Sequence, residues 1–371
     1  MPNDPEHRIY VWIEALCNYL TVVDEPERRK HWPKPGTSAL RAESGVTRIE
    51  SNRGSGELED SVRRTEVPNV THLMAKDILW FHAVIWPCML HALGEEPPRT
   101  VYAHAYWISE GRKMSKSLGN FIEIDRLRLY AEKYSLDALR WFLTTQGPLG
   151  ATDADFAHAR FVEVYNAELA NGIGNAASRV GNMIVKYFDG VVPACSKTGF
   201  TTESTEGHGE EYKWDEIAVG LVGRAVRACE EVRLDDSLRA GLELSNRVDA
   251  FIAATRPFSI AKEIDKGTHA DPARGREDLN TILYQSAEAL RIASLLLWPA
   301  MPSKMAELWR NWDCSPLNDP DDPDSGFRAP LSELATWAHP AWGMKPGSTV
   351  RKGEPLFMRA DAKEPAPGDA E

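Results

Sequence analysis

Apolar residues recur along this chain in two rhythms, and the change from one to the other divides it. Arg8 to Trp12 is a β-prone run, and apolar Ala15, Leu16, Tyr19 and Leu20 fall at helical spacing within Glu14 to Val23, which predicts a strand feeding a helix. Val70 to Met74 and Thr100 to Ala103 are strand-like again, with a helix expected between them from about Lys76 to Leu93. Pro87 should disturb that helix, because proline lacks an N–H and crowds the preceding turn. Strand, helix, strand is the order of an open α/β sheet, whose ligands gather beyond the carboxyl ends of its strands. Residues 34–68 lose all periodicity to Gly, Ser, Arg and Glu and read as a mobile insertion.

Beyond about residue 120 the period is helical. Ile124, Leu127, Leu129 and Tyr130, then Leu136, Leu139, Phe142 and Leu143, predict two short helices. From about Asp153 the helices lengthen: Phe161, Val164, Ile173, Ala177, Val180, Ile184 and Tyr187 keep one face apolar, and Leu279, Ile282, Leu283, Leu290, Ala293, Leu296 and Leu297 do so again. Such stripes must be buried against other helices, so with 217–232 and 238–254 they predict an antiparallel α-helical bundle, broken by polar loops at 196–208 and 266–274. Pro316 to Ser325 is rich in Asp and Pro, and Ala360 to Glu371 reads as a frayed tail. The fold class is therefore α/β plus all-α, a partial parallel sheet followed by a bundle. Its expected divisions are 1–104, 105–150, 151–312 and a partly disordered extension, 313–371.

Composition narrows the picture only a little. The 371 residues allow two domains with buried cores, and 43% hydrophobic content suits a soluble globular protein. No apolar run is long enough to span a membrane and the first residues are no signal peptide, so a cytoplasmic location without membrane attachment is the expectation. The five cysteines, Cys17, Cys88, Cys195, Cys229 and Cys314, include no Cys-x-x-Cys pair and give structural zinc no support. A formal charge of −12 excludes a basic coat for nucleic acid, but not a local Lys/Arg face that holds a folded RNA.

Candidate chemistry concentrates at Gly111-Arg112-Lys113-Met114-Ser115-Lys116-Ser117-Leu118-Gly119-Asn120. Two lysines three residues apart, among small hydroxyl residues and with a glycine near each end, can bring two ammonium groups to one place on a movable segment. Such donors suit an anionic leaving group: when the α-phosphate of a nucleotide is attacked, charge builds on the departing pyrophosphate. The competing reading is an exposed Lys/Ser turn. Lys76 and Asp77 follow a strand at a helix start, where a carboxylate could hold ribose hydroxyls or merely cap the helix. Trp12 and Tyr19 in one helical segment, and Phe81, His82 and Trp86 in another, are aromatic groups at helical spacing, a pattern that is usually core. Asn175 and Arg179, four apart on one helix face, could read RNA bases or simply be solvated.

The Lys-Met-Ser-Lys-Ser string is similar to the signature of class I aminoacyl-tRNA synthetases, and its surroundings resemble the methionyl-tRNA synthetase family. Ile9-Tyr10-Val11-Trp12, His72-Leu73-Met74-Ala75-Lys76-Asp77-Ile78-Leu79, Phe81-His82-Ala83-Val84-Ile85-Trp86-Pro87 and Leu290-Arg291-Ile292-Ala293-Ser294 carry that resemblance, which runs from about His7 to about Arg310 and returns weakly near Val350 to Phe357. It implies the second half of a Rossmann-like catalytic domain, then an anticodon-binding helical bundle. It further implies methionine activation by ATP, with Mg²⁺ accompanying the nucleotide, and transfer to tRNA(Met) in protein biosynthesis. Lys113 and Lys116 would then be catalytic; Lys76, Asp77, His104, Lys113, Met114, Ser115, Lys116 and Ser117 would bind ATP; Trp12, Ala15, Tyr19, Phe81, His82 and Trp86 would hold methionine; and Asn175, Arg179 and Phe258 would bind the anticodon.

The chain also departs from the family pattern. Ala75 stands where a glycine is usual, Glu14 where an aspartate is frequent, and Phe258 follows Arg256-Pro257 where a tryptophan is common. No His-Ile-Gly-His string occurs. The resemblance therefore implies a carboxyl-terminal portion, inactive alone, whose amino-terminal half is either a separate partner chain or a lost piece of reading frame. A non-catalytic tRNA-binding module and a class I relative for another amino acid, such as cysteine, are the alternatives.

Overall fold

The computed structural model describes residues 11–29, 31–32, 70–109, 111–195, 199–201, 211–314, 327 and 329–369. The expected insertion at 34–68, the Asp/Pro-rich stretch 316–325 and the residues before Val11 lie outside them. The chain is mostly helical with a small parallel sheet, and it divides into two compact units, Met1–Tyr106 with Pro148–Asp153, and Trp107–Gly147 with Ala154–Glu371.

The first unit contains helices α1 (Val11–Val23) and α2 (Pro26–Arg29), strand β1 (Thr71–Ala75), helix α3 (Trp86–Leu93) and strand β2 (Thr100–His104). The strands pair in parallel, Thr71 opposite Thr100 and Ala75 opposite His104. The strand expected to end at Trp12 is not seen: Val11 and Trp12 already belong to α1. A short apolar run suits either period, and the helical one prevails because Trp12, Leu16, Leu20 and Val23 make one stripe that packs with Trp32, Trp86 and Leu90. The helix expected from Lys76 arrives in stages. A 3-10 turn covers Lys76–Ile78 and a π-helical turn Phe81–Ile85, in which the Trp86 N–H bonds to the Phe81 carbonyl. Pro87 then sits in the first turn of α3, where a missing N–H is tolerated.

The second unit opens with β3 (Trp107–Ser109) and β4 (Arg112–Lys113), an antiparallel pair extended by β5 (Ala154–Asp155), which runs parallel to β3. Helices α4 (Ile124–Tyr134) and α5 (Leu136–Thr145) lie between β4 and β5, as the sequence predicts. α6 (His158–Val164) passes through a π-helical stretch, Tyr165–Gly174, kinked at Gly172, into α7 (Asn175–Phe188). A hairpin of β6 (Gly199–Thr201) and β7 (Glu211–Lys213) occupies part of the expected 196–208 loop. There follow α8 (Trp214–Glu230), α9 (Leu234–Thr255), α10 (Pro257–Asp265), α11 (Pro272–Leu297), α12 (Pro302–Asn311) and α13 (Leu331–Leu334). α11 is the axis of this unit: from Tyr284 to Leu297 every residue is buried. α9 approaches it so closely at Gly241 that a Cβ there would lie 2.8 Å from Leu297 and 3.0 Å from the Ala293 carbonyl.

The expectation of a frayed tail from Ala360 fails for 360–369. Asn166 exchanges two 2.9 Å hydrogen bonds with the Ala360 backbone, Lys133 pairs with Glu364 at 2.8 Å, and Arg126 pairs with Asp369 at 2.9 Å. Upstream, 331–344 are fastened to α11 by a fully buried ion pair. Arg291 grips both Glu288 oxygens at 2.8 Å and donates to the Leu334 carbonyl at 2.6 Å, while Glu288 accepts from the Ala338 and Met344 N–H groups at 2.9 and 2.7 Å.

Candidate functional site

Two clusters in the first unit and two in the second carry the candidate side chains. In the first unit the 3-10 turn after β1 sets Lys76 and Asp77 at the carboxyl ends of the parallel pair, level with His104 across the β1–β2 register. Lys76 Nζ donates to Asp153 Oδ1 at 2.8 Å and lies 5.7 Å from the Tyr106 ring centroid. Tyr106 bonds Asp77 through its phenol, and that bond, with lesser help from burial, raises the Tyr106 pKa. His104 Nδ1 meets the Ala105 carbonyl at 2.7 Å; a carbonyl only accepts, so Nδ1 carries the proton and, in the neutral ring, Nε2 is left as an acceptor. Ala75 has φ −72 and ψ 151, ordinary extended backbone, so its methyl brings no strain where a glycine is usual.

The aromatic set converges in the same unit. Trp12 stacks on Phe81 with centroids 4.3 Å apart, and Ala15 and Tyr19 continue its α1 face. Tyr19 Oη is 2.9 Å from His82 Nε2, while His82 Nδ1 is 3.0 Å from the Ile78 carbonyl. By the same reasoning Nδ1 donates to Ile78, and in the neutral ring Nε2 accepts from the Tyr19 hydroxyl. The hydroxyl thus keeps its lone pairs for another donor. Trp86 is fully buried behind Tyr19, which remains 38% exposed.

Two members of this cluster were not among the candidates. His72 stands edge-on to Tyr19 at 4.2 Å and 5.7 Å from the His82 ring, and Trp32 is 6.1 Å from Trp86. Burial, then the neighbouring His82, lowers the His72 pKa to about 4, so it is neutral near pH 7. Among the described residues neither His72 Nε2 nor Trp86 Nε1 has a hydrogen-bond partner, although both are buried. The period-2 pattern of β1 held the signal for His72, which shares the inward face with Met74.

In the second unit the lysine segment is a hairpin edge rather than a plain loop. Arg112 and Lys113 pair with Ser109 and Ile108, and Lys116–Leu118 form a 3-10 turn. Gly111 (φ 73) and Gly119 (φ 64) take left-handed backbone at its two ends, the former donating to Asp155 Oδ2 at 3.1 Å. Asn120 closes the segment on itself: its Oδ1 accepts from the Ser115 N–H at 2.9 Å and its Nδ2 donates to the Lys113 carbonyl at 3.2 Å. The Ser115 and Ser117 hydroxyls are 2.7 Å apart, and Met114 packs on the core. Lys113 is exposed, with no ion-pair partner among the described residues.

Asn175 and Arg179 share a partner, Asp249 on α9. Arg179 bonds Asp249 Oδ1 at 2.6 Å and Asn175 bonds the same carboxylate. Burial raises the Asp249 pKa, and the two bonds oppose that shift. Phe258 is 48% exposed in the first turn of α10, a few residues past the end of α9, and is not seen in contact with the Asn175–Arg179 pair. Among the described residues no group of three or more His, Cys, Asp or Glu could hold a metal ion, and no helix is long and apolar enough to cross a membrane.

Comparison with known proteins gives one consistent likeness. Residues 1–181 match the family of class I tRNA synthetases (M). The methionine–tRNA ligase of Bacillus subtilis is 32% identical over 98% of this chain and 45% of its own length, and that of Streptomyces coelicolor is 31% identical over 99% and 57%. Mycobacterium tuberculosis methionyl-tRNA synthetase bound by methionyl-adenylate superposes with a TM-score of 0.67 at 26% identity, over 96% of this chain and 57% of that one. The chain spans about half the length of the curated relatives it matches.

Proposed function

From the premise that this chain is related along nearly its whole length to the methionyl-type class I tRNA synthetases, we propose that it serves as part of an enzyme that forms methionyl-adenylate and pyrophosphate from methionine and ATP and passes the methionyl group to tRNA(Met). The observation that carries the proposal is the Gly111–Asn120 segment, hinged by a glycine near each end, closed by Asn120, and presenting Lys113 without a competing carboxylate among the described residues. Lys113 and Lys116 meet charge as it develops on the leaving pyrophosphate, which arrives with its Mg²⁺ as part of the substrate. Asp77 holds ribose, and Lys76 and His104 complete the adenosine side.

Methionine lies against Trp12, Ala15, Tyr19 and Phe81, with Trp86 and His82 forming the layer that holds Tyr19 from behind. A thioether is polarisable enough to gain from aromatic edges, which a hydrocarbon of equal size does less well. Asn175, Arg179 and Phe258 bind anticodon bases, the first two through edges that Asp249 holds in place and the last by stacking. In this reading the first unit is the second half of a Rossmann-like catalytic domain and α6 to α12 make up an antiparallel anticodon-binding bundle, acting in the cytoplasm.

The test is amino-acid-dependent exchange of radiolabelled pyrophosphate into ATP. With the chain supplied together with a segment bearing His-Ile-Gly-His, exchange is expected with methionine and not with cysteine. The chain by itself is expected to show none. Exchange driven by another amino acid, or none in the combined protein, would contradict the proposal.

A further inference from the structure

α7 has more to offer RNA than Asn175 and Arg179. Positions 175, 178, 179 and 182 are spaced i, i+3, i+4, i+7, so Ser178 and Asn182 continue the face on which that pair stands. These two residues form one wall of a cavity of about 320 Å³, large enough for a nucleotide. Asn311 and Trp312, at the end of α12, form the second wall, and Arg351 and Lys352 the third. The Arg351 N–H donates to the Asn311 carbonyl at 2.8 Å, and Gly353 passes so close to the Asn311 amide that a Cβ would lie 2.5 Å from it, so the basic pair is anchored through its backbone. Its side chains are exposed, and neither has a hydrogen-bond or ion-pair partner among the described residues. Glu354 is the single acidic residue of the lining, against two basic ones.

We infer that this cavity receives the phosphodiester backbone of the tRNA strand adjoining the anticodon, Arg351 and Lys352 taking phosphate oxygens while Ser178, Asn182 and Asn311 supply neutral donors. The inference rests on the anticodon-binding reading of α7 and extends it to a surface for which the sequence analysis named no role. The chemistry is that of a sequence-independent contact: phosphate contacts fix the register of the strand, and base contacts nearby specify it. An acidic protein gains most from confining its basic groups to such a place, since the rest of its surface repels the polyanion.

The test uses the full chain and an oligoribonucleotide anticodon stem-loop of tRNA(Met), with dissociation constants taken by fluorescence anisotropy across a salt series. Arg351→Glu with Lys352→Glu should weaken binding about tenfold to a hundredfold at low salt and lower the slope of log affinity against log salt by about 1.4, for two single-strand phosphate contacts. Arg351→Gln with Lys352→Gln should lower the slope similarly, and Arg351→Lys with Lys352→Arg should restore it. Thermal melts of all three should match the parent. If the charge-reversed chain binds with the parent's affinity and slope while Arg179→Ala weakens binding, the cavity has no such role and the reading of α7 survives. If the parent chain does not bind the stem-loop at all, both fall.

Discussion

At the scale of single residues, the candidate methionine pocket is defined by where protons sit. His82 is committed through Nδ1 to the Ile78 carbonyl, so its other nitrogen fixes the Tyr19 hydroxyl. Tyr19→Phe keeps the ring and removes only that bond. In the complete enzyme it should raise KM for methionine about fivefold, the weight of a net ~1 kcal/mol hydrogen bond, with kcat little changed. A proportionate fall in kcat would place Tyr19 in the chemical step instead. His72 gives a pH signature. Its folded pKa, about 4, lies below the ordinary 6.5, so the unfolded chain binds the proton more readily. Its contribution to stability is complete above about pH 6.5 and is lost as the pH falls toward 4. Amide hydrogen exchange at β1 and α3 should show the first unit weakening between pH 7 and 5, once corrected for the intrinsic exchange rate, and His72→Phe should flatten that dependence. Unchanged pH dependence in the variant would rule His72 out as its source. The grouping of Trp12, Tyr19, His82 and Trp86 came from the family resemblance, since helical spacing by itself pointed to ordinary core. His72 was not singled out, although its place two residues before Met74 on the inward face of β1 carried the signal.

At the scale of elements, periodicity was a sound guide wherever one face is buried and a poor one where a few hydrogen bonds decide. The strands at 71–75 and 100–104 and the helices from 124 onward lie where their patterns place them. The hairpin under Lys113 involves only Trp107–Ser109 and Arg112–Lys113, too short to leave a rhythm. The packing of 360–369 depends on Asn166, Lys133 and Arg126, which are distant in sequence. Asn120 is the side chain that ties the lysine segment to itself, so Asn120→Ala should lower kcat for adenylate formation about tenfold while the KM for methionine stays near its parent value. An unchanged kcat would show that the segment is held by other means. Gly241→Ala forces α9 away from Leu297 and the Ala293 carbonyl and should cost about 1–3 kcal/mol, read as a lower denaturation midpoint. The buried Glu288–Arg291 pair should be costlier to break: Arg291→Met leaves a carboxylate uncompensated and should remove about 3–5 kcal/mol. Replacing both residues by leucine should cost less than Arg291→Met, and a larger loss would show that the pair's backbone bonds outweigh its charge balance.

At the scale of the whole molecule, the helical second unit and the smaller first unit divide the work in the proposed activity. The residues proposed for the amino acid and the adenosine belong to the first unit, and the lysine segment and the helices proposed to meet RNA belong to the second. The likeness to class I tRNA synthetases was legible mainly from the lysine segment, because the residue types that would answer a leaving pyrophosphate are few and closely spaced. The surface proposed to face RNA was less so, since it draws Asp249, Asn311 and Arg351 from separate stretches of the chain. The most direct measurement is the rate of methionyl-adenylate formation, followed in single turnover by the enzyme assembled with its His-Ile-Gly-His-bearing segment, with Lys113 and Lys116 intact or both changed to alanine. The intact lysines should give a rate at least about a hundredfold faster than the alanine variant; equal rates would contradict the account.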